Sequence, residues 1–224
     1  MKTIIMIGDS FGVPNYAGPP GISPEKHIEY LLKDLGYDVI NLSTNNSLNE
    51  THLSLLDMFL SSNPFKKIDF VVWFHNCAMH LIGPMLQIFT IDSQQREYLT
   101  KTYNKAVNLK LKTKAKWFVI GGSSPIPDFF YHYKIHDGII PDWRSQILNE
   151  SLPNVPGWRS SQNQTVLEDD NNRDSKEFKQ QITRDFDYIN QRLYREKDLF
   201  PDNCHPGEKP HQSLAQELDL FFKI

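Results

Sequence analysis

The sequence predicts an α/β fold in which a parallel β-sheet is flanked by helices. Short apolar runs alternate with helix-patterned stretches along most of the 224 residues, the order that parallel sheets with crossover helices produce. One run, Ile68–Phe74, is apolar almost without interruption, as expected of a strand covered on both faces. Capping and breaking residues fall between the runs, notably Ser23-Pro24-Glu25, Gly36, Asn63-Pro64 and Gly121-Gly122. At this length a single domain, 1–224, is expected, able to bury roughly 70% of its unfolded surface.

Thr3–Gly8 reads as the first strand. Ser23 then supplies an N-cap, Pro24 a first helical position and Glu25 an early acid. Ile28, Leu31, Leu32 and Leu35 form the buried stripe of that helix, and Gly36 ends it. Tyr37–Leu42 is the second strand. Asn49-Glu50 starts the next helix, with Leu53, Leu56 and Leu60 on one face and Ser61-Ser62-Asn63-Pro64 as its stop. Ile68–Phe74 is the third strand. Asp92-Ser93 caps a long helix through Leu99, Tyr103, Ala106 and Lys110, and Trp117–Ile120 is the fourth strand. Phe178, Ile182, Phe186, Ile189 and Leu193 recur at helical spacing. A final helix runs from about Pro210 through Leu214, Leu218 and Phe221. Leu199-Phe200 is the only candidate for a fifth strand near the C-terminus.

Ser123–Asp174 breaks the pattern. It is proline-rich and carries a polar run, Ser160 to Asp174, with little periodicity, so a long irregular insertion is expected at about 123–174. Its aromatic residues Phe129, Phe130, Tyr131, Tyr133, Trp143 and Trp158 fit two roles equally, lining a cleft or anchoring the excursion to the core.

Formal charge is -3, and no stripe of Lys and Arg interleaves with aromatics, which argues against a nucleic-acid partner. The one basic cluster, Lys110 to Lys116, reads as the solvated end of a helix, where the macrodipole favours cations. Cys77 and Cys204 form neither metal-ligand spacing nor a disulfide framework and read as free thiols. No apolar stretch approaches the ~18 residues of a membrane span, and Met1-Lys2 leads directly into the first strand without a signal peptide. A cytoplasmic protein without a membrane span is therefore expected.

The chemistry-bearing residues lie at the two ends of the chain. Gly8-Asp9-Ser10-Phe11-Gly12 follows the first strand, and Asp202-Asn203-Cys204-His205 precedes the last helix. A serine hydroxyl is a poor nucleophile until a histidine takes its proton and a carboxylate orients that histidine, and an open sheet can bring these three types together. This constellation points to a serine hydrolase. The first pentapeptide also matches the G-x-S-x-G elbow of α/β-hydrolases. That fold places several strands before its serine, whereas only one precedes Ser10. The short interval between Asp202 and His205 also differs from an acid and base on separate loops.

Four short blocks in order resemble the SGNH (GDSL-type) hydrolase family. Gly8-Asp9-Ser10 is similar to its first block, Asn41–Asn46 occupies the place of the second, Trp73-Phe74-His75-Asn76 matches the third at its asparagine, and Asp202–Pro206 is similar to the last. The second block lacks the usual glycine, and Phe74, His75 and Cys77 replace the usual neighbours of the asparagine. The resemblance implies a flavodoxin-like three-layer α/β/α sandwich with strand order 2-1-3-4-5. It assigns Ser10, His205 and Asp202 to a triad, and the oxyanion hole to the Ser10 backbone N–H, a second-block N–H at Asn46 or a neighbour, and the Asn76 side-chain amide. The implied activity is hydrolysis of a carboxylic ester through a seryl-acyl intermediate, with no metal or organic cofactor. A small-molecule or glycan ester is the expected substrate, with small acyl groups on carbohydrate preferred because no large apolar lid helix is evident.

Each assignment has a structural counterpart. Ser10 can cap a turn, Asp202 can cap a helix or turn, His205 can sit on the surface before Pro206, and Asn76 can bind loop backbone. Asp9 is expected to fix the first turn through its carboxylate, His75 and His80 to pack or line a rim, and His211 to belong to the first turn of the last helix. The rival functions are a non-catalytic ligand- or glycan-binding protein on the same sandwich, an acyltransferase, and a nucleotide-binding protein, the last lacking a Gly-rich phosphate loop.

Overall fold

Strand β1 (Thr3–Ile7) is buried at every residue, and its side chains alternate between two cores. Ile5 and Ile7 join Val71, Trp73, Trp117 and Val119 against Leu53 and Leu56 of helix α2 (Asn49–Ser62) and Leu99, Tyr103 and Ala106 of α3 (Ser93–Thr113). Ile4 and Met6 join Phe70, Val72, Phe74 and Phe118 against Ile28 and Leu32 of α1 (Ile28–Asp34) and Leu214, Leu218 and Phe222 of the C-terminal helix α5 (Glu208–Lys223). Helices thus cover both faces of the sheet, which makes three layers. The computed structural model describes residues 1–14, 24–76, 93–122, 126–141, 143–147 and 205–224.

The sheet holds β2 (Asp38–Asn41), β1, β3 (Phe70–His75), β4 (Lys116–Gly121) and β5 (Gly138–Ile140) in the order 2-1-3-4-5. Every neighbouring pair is parallel, with Met6 opposite Asn41 on one side of β1 and opposite Val72 on the other. This is the strand order that the family resemblance implies. Because β2 and β3 lie on opposite sides of β1, the loops leaving β1 and β3 diverge and open a crevice at their carboxyl ends.

Several elements differ from expectation. Pro24–Lys26 forms a 3-10 turn rather than the start of α1, whose N-cap is His27, with its side chain accepting a hydrogen bond from Glu29 N at 3.3 Å. Leu35 belongs to the C-cap rather than to the buried stripe and is 49% exposed, while Gly36 takes the left-handed φ of 91° that stops the helix. The fifth strand is Gly138–Ile140, inside the stretch expected to be irregular, where the short helix α4 (Trp143–Ile147) also forms. A Cβ on Gly138 would lie 2.5 Å from the Phe118 ring, so glycine is what lets this edge strand close on β4. Phe130 is fully buried and Trp143 is 2% exposed, so both anchor this segment to the core. Leu199-Phe200, the helix expected around Phe178–Leu193, the polar run 160–174, Trp158, His80 and both cysteines lie outside the described residues. Among the described residues no helix is long and apolar enough to cross a membrane.

Candidate active site

The loops at the carboxyl ends of β1, β2 and β3 are tied to one another by hydrogen bonds. After β1 the chain turns sharply: Gly12 N–H donates to the Asp9 carbonyl at 3.0 Å, and Phe11 N–H donates to the Asp9 carboxylate at 3.0 Å. The carboxylate of Asp9 therefore fixes the turn, as the sequence predicts, and holds Ser10 at its apex, 8% exposed. Gly8 has no room for a side chain, since a Cβ there would sit 2.6 Å from Phe74 Cβ. From the β2 loop, Thr44 N–H donates to Gly8 O at 2.9 Å and Asn41 Nδ2 donates to Gly12 O at 2.7 Å. Asn41 Oδ1 in turn accepts from Ser43 N at 3.0 Å.

His205 arrives from the far end of the chain. It stands three residues before α5, and its Nε2 lies 2.8 Å from Ser10 Oγ across 195 positions of sequence. The Phe11 ring lies 5.3 Å from the imidazole, centroid to centroid, and 6.1 Å from Trp143, so an aromatic wall runs from the histidine into the core. A Ser10 hydroxyl that donates to Nε2 requires the neutral imidazole to carry its own proton on Nδ1. Asp202, expected to receive that proton's hydrogen bond, lies outside the described residues.

The two other predicted oxyanion donors occupy different surroundings. Asn46 is exposed and adopts φ of 52°, the left-handed conformation that asparagine tolerates well. Asn76 is fully buried directly after β3, and its Nδ2 donates to Ser47 O at 3.3 Å. Ser47 Oγ also lies 3.4 Å from Gly8 O, so the stretch 46–49 touches the chain after β1 as well as after β3.

A buried polar layer lies behind these loops, and the sequence reading does not foresee it. Asn49 Oδ1 accepts from Asn76 N at 2.9 Å, and Asn49 Nδ2 donates to Asn76 O at 2.6 Å. Ser47 Oγ lies 2.6 Å from Thr44 O, to which it donates, and 2.7 Å from His52 Nε2. His75 Nε2 lies 2.9 Å from the Tyr103 hydroxyl. Burial pushes His75 down to about 3, with nearby His52 adding to the effect, so His75 packs as a neutral ring. Asn49 reads in sequence as a helix-starting residue. It does open α2, but Leu48 is the N-cap and the Asn49 side chain turns inward.

On the other side of the sheet, His27 and His211 meet beneath the site with ring centroids 4.6 Å apart, and Trp143 stands 5.3 Å from His211. His211 sits in the first turn of α5, as the sequence predicts, with its N–H donating to Gly207 O. Burial holds His27 down to about 4 and His211 well below the ordinary histidine range, so both are neutral near pH 7.

Fold and site together define a three-layer α/β/α protein with a serine–histidine pair at the switch point of its sheet. No family model and no curated relative matches the chain in sequence. In solved structures it is similar to the psychrotrophic esterase EstA from Pseudoalteromonas sp., at 15% identity over 98% of this chain and 95% of that one, with a TM-score of 0.46. It is similar to an acetyl xylan esterase, Axe2, from Geobacillus stearothermophilus, at 11% identity over 99% and 94% of the two chains and a TM-score of 0.47. A lipase/acylhydrolase from Enterococcus faecalis is similar at 16% identity over 100% and 96%, with a TM-score of 0.45. The strand order and the two-faced core stand on the geometry of this chain alone.

Proposed function

We propose that this chain is a serine esterase of the SGNH type, with Ser10 as nucleophile, His205 as general base and Asp202 as the acid that orients it. The observation that carries the proposal is the 2.8 Å contact between Ser10 Oγ and His205 Nε2 at the carboxyl end of β1. A structural serine has no need of an imidazole brought from 195 positions away. A nucleophile does, because the hydroxyl proton must leave as the C–O bond forms.

In the reaction proposed, Ser10 Oγ attacks the ester carbonyl while His205 Nε2 takes its proton. The oxyanion is received by the Ser10 N–H, an N–H of the second loop at Asn46 and the Asn76 amide, each donor worth about 3 kcal/mol in a favourable case. His205 then returns the proton to the departing alcohol. Water, activated by the same imidazole, hydrolyses the acyl-serine, and the proton taken from that water goes back to Ser10. Small acyl groups on carbohydrate are the preferred substrates, a preference that rests on the sequence, which shows no large apolar helical stretch of the kind a lid would need. No step requires a metal or organic cofactor.

The test is p-nitrophenyl acetate hydrolysis by wild type, Ser10→Ala and His205→Ala, together with covalent labelling by a serine-directed phosphonate. Loss of turnover by at least 10³-fold in both variants, with the label on Ser10 of the wild type, is the expected result. Equal rates in wild type and Ser10→Ala remove the nucleophile. Complete inactivity with retained glycan binding points to a non-catalytic protein, and faster product formation with an added alcohol marks acyl transfer.

A further inference from the structure

We infer that Asn49 is a positioning residue for the oxyanion hole, holding the peptide of Asn76 in place from the first turn of α2. The inference rests on the esterase reading above and adds a residue that acts through another.

The hydrogen-bond roles follow from donor and acceptor chemistry. Asn76 N–H can only donate, so the Asn49 atom 2.9 Å away is its oxygen. Asn49 Nδ2 is then the donor 2.6 Å from Asn76 O, and its remaining direction, at the longer distance of 3.4 Å, is His75 Nε2. One side chain thereby grips both the N–H and the C=O of a single residue, while Ser47 O engages that residue's side-chain amide at 3.3 Å. Backbone and side chain of Asn76 are held independently, and both holds come from the short segment that follows Asn46.

A helix-capping role does not account for Asn49. An asparagine at a helix start ordinarily accepts a hydrogen bond from a backbone N–H of its own first turn. Asn49 is 1% exposed and directs its oxygen to a residue 27 positions away. An apolar side chain in its place would fill the core but take both of these hydrogen bonds from the buried Asn76 peptide, so the amide fixes that peptide as well as closing the core. The geometry makes sense where the location of Asn76 Nδ2 must be accurate. Displacement of a catalytic group by about 1 Å costs on the order of 100-fold in rate.

Asn49→Leu keeps the branched outline in a larger side chain and removes both hydrogen bonds, and Asn49→Ala serves if the added bulk prevents folding. Leu109→Ala, a core truncation on α3 far along the helix from the site, controls for lost stability. With p-nitrophenyl acetate we expect kcat to fall about 10- to 100-fold in the Asn49 variant with KM within about twofold of wild type, the pattern of a lost transition-state interaction. Leu109→Ala should retain wild-type kcat while melting at lower temperature. Hydrogen exchange at the Asn76 amide, read by NMR without turnover, should accelerate at least about tenfold in the Asn49 variant, the shift expected when ~1.4 kcal/mol of local protection is lost. If wild type turns over through Ser10 while the Asn49 variant keeps kcat within twofold, the positioning role is overturned and the esterase reading survives. An equal fall of kcat in Leu109→Ala also overturns it, because the loss then follows stability. Absence of Ser10-dependent turnover in the wild type sinks both.

Discussion

Lowering the pH from 7 to 5 should strip several kcal/mol of stability from this protein through its buried histidines. His27 caps α1 with Nδ1 accepting from Glu29 N–H, and its ring is fully buried. Burial is the main reason its folded value lies at about 4, outweighing the opposing influence of Glu29, while burial takes His75 to about 3. In the unfolded chain each ring titrates near its ordinary value of about 6.5. Below that value the unfolded state binds protons that the folded state refuses, so stability falls as pH falls. The contribution is whole above pH 6.5 and drains away toward about 4 for His27 and about 3 for His75. Between pH 7 and 5 the linkage amounts to about 2 kcal/mol per ring, hence ~4 kcal/mol for the two, against typical total stabilities of about 5–15 kcal/mol. Asp38 and Asp69, held below the ordinary carboxylate value by their lysine and backbone partners, stay ionised throughout this window. Urea denaturation followed by tryptophan fluorescence at constant ionic strength measures the slope directly. His27→Gln should lose about 2 kcal/mol of the pH dependence whatever it does to stability at pH 7. Wild-type stability that is flat from pH 7 to 5, or an unchanged slope in His27→Gln, would refute the reasoning.

Two further perturbations probe the scaffold. Gly8→Ala places a Cβ 2.6 Å from Phe74 Cβ in the core, so β1 must move away from β3; a loss of about 1–3 kcal/mol by denaturant titration, with slower phosphonate labelling of Ser10, is expected. Asp137 Oδ2 accepts from Trp117 N at 2.7 Å and from Lys110 Nζ at 2.7 Å, which fastens the approach to β5 onto β4. Asp137→Ala leaves the Trp117 N–H without that partner and should cost about 1–3 kcal/mol, with faster exchange of that amide in NMR.

Much of the architecture is legible in the chain because its cause is local. Phe70–Phe74 is apolar residue after residue because the strand it forms is covered on both faces, and the helical spacing of Leu53 with Leu56 and of Leu99 with Tyr103 and Ala106 matches the faces they bury. The Asp9 turn is legible for the same reason, since its hydrogen bond spans two residues. Asn46 takes its left-handed backbone where the family resemblance leaves the second-block donor open to it or a neighbour. By contrast, β5 has three residues and a glycine, and its strand character comes from Phe118 and the partner β4, which no local pattern announces.

What the sequence determined by itself was the alternation of elements, hence a parallel sheet, and the residue types able to activate a hydroxyl. Only tertiary structure decided that Ser10 and His205 touch, that Asn49 faces Asn76 instead of capping its helix, and that His27 and His211 pair beneath the site. Periodicity records which side of an element is buried. Which polar group meets which across long sequence separations depends on how whole layers dock, and one chain's order of residues does not encode that in any short window.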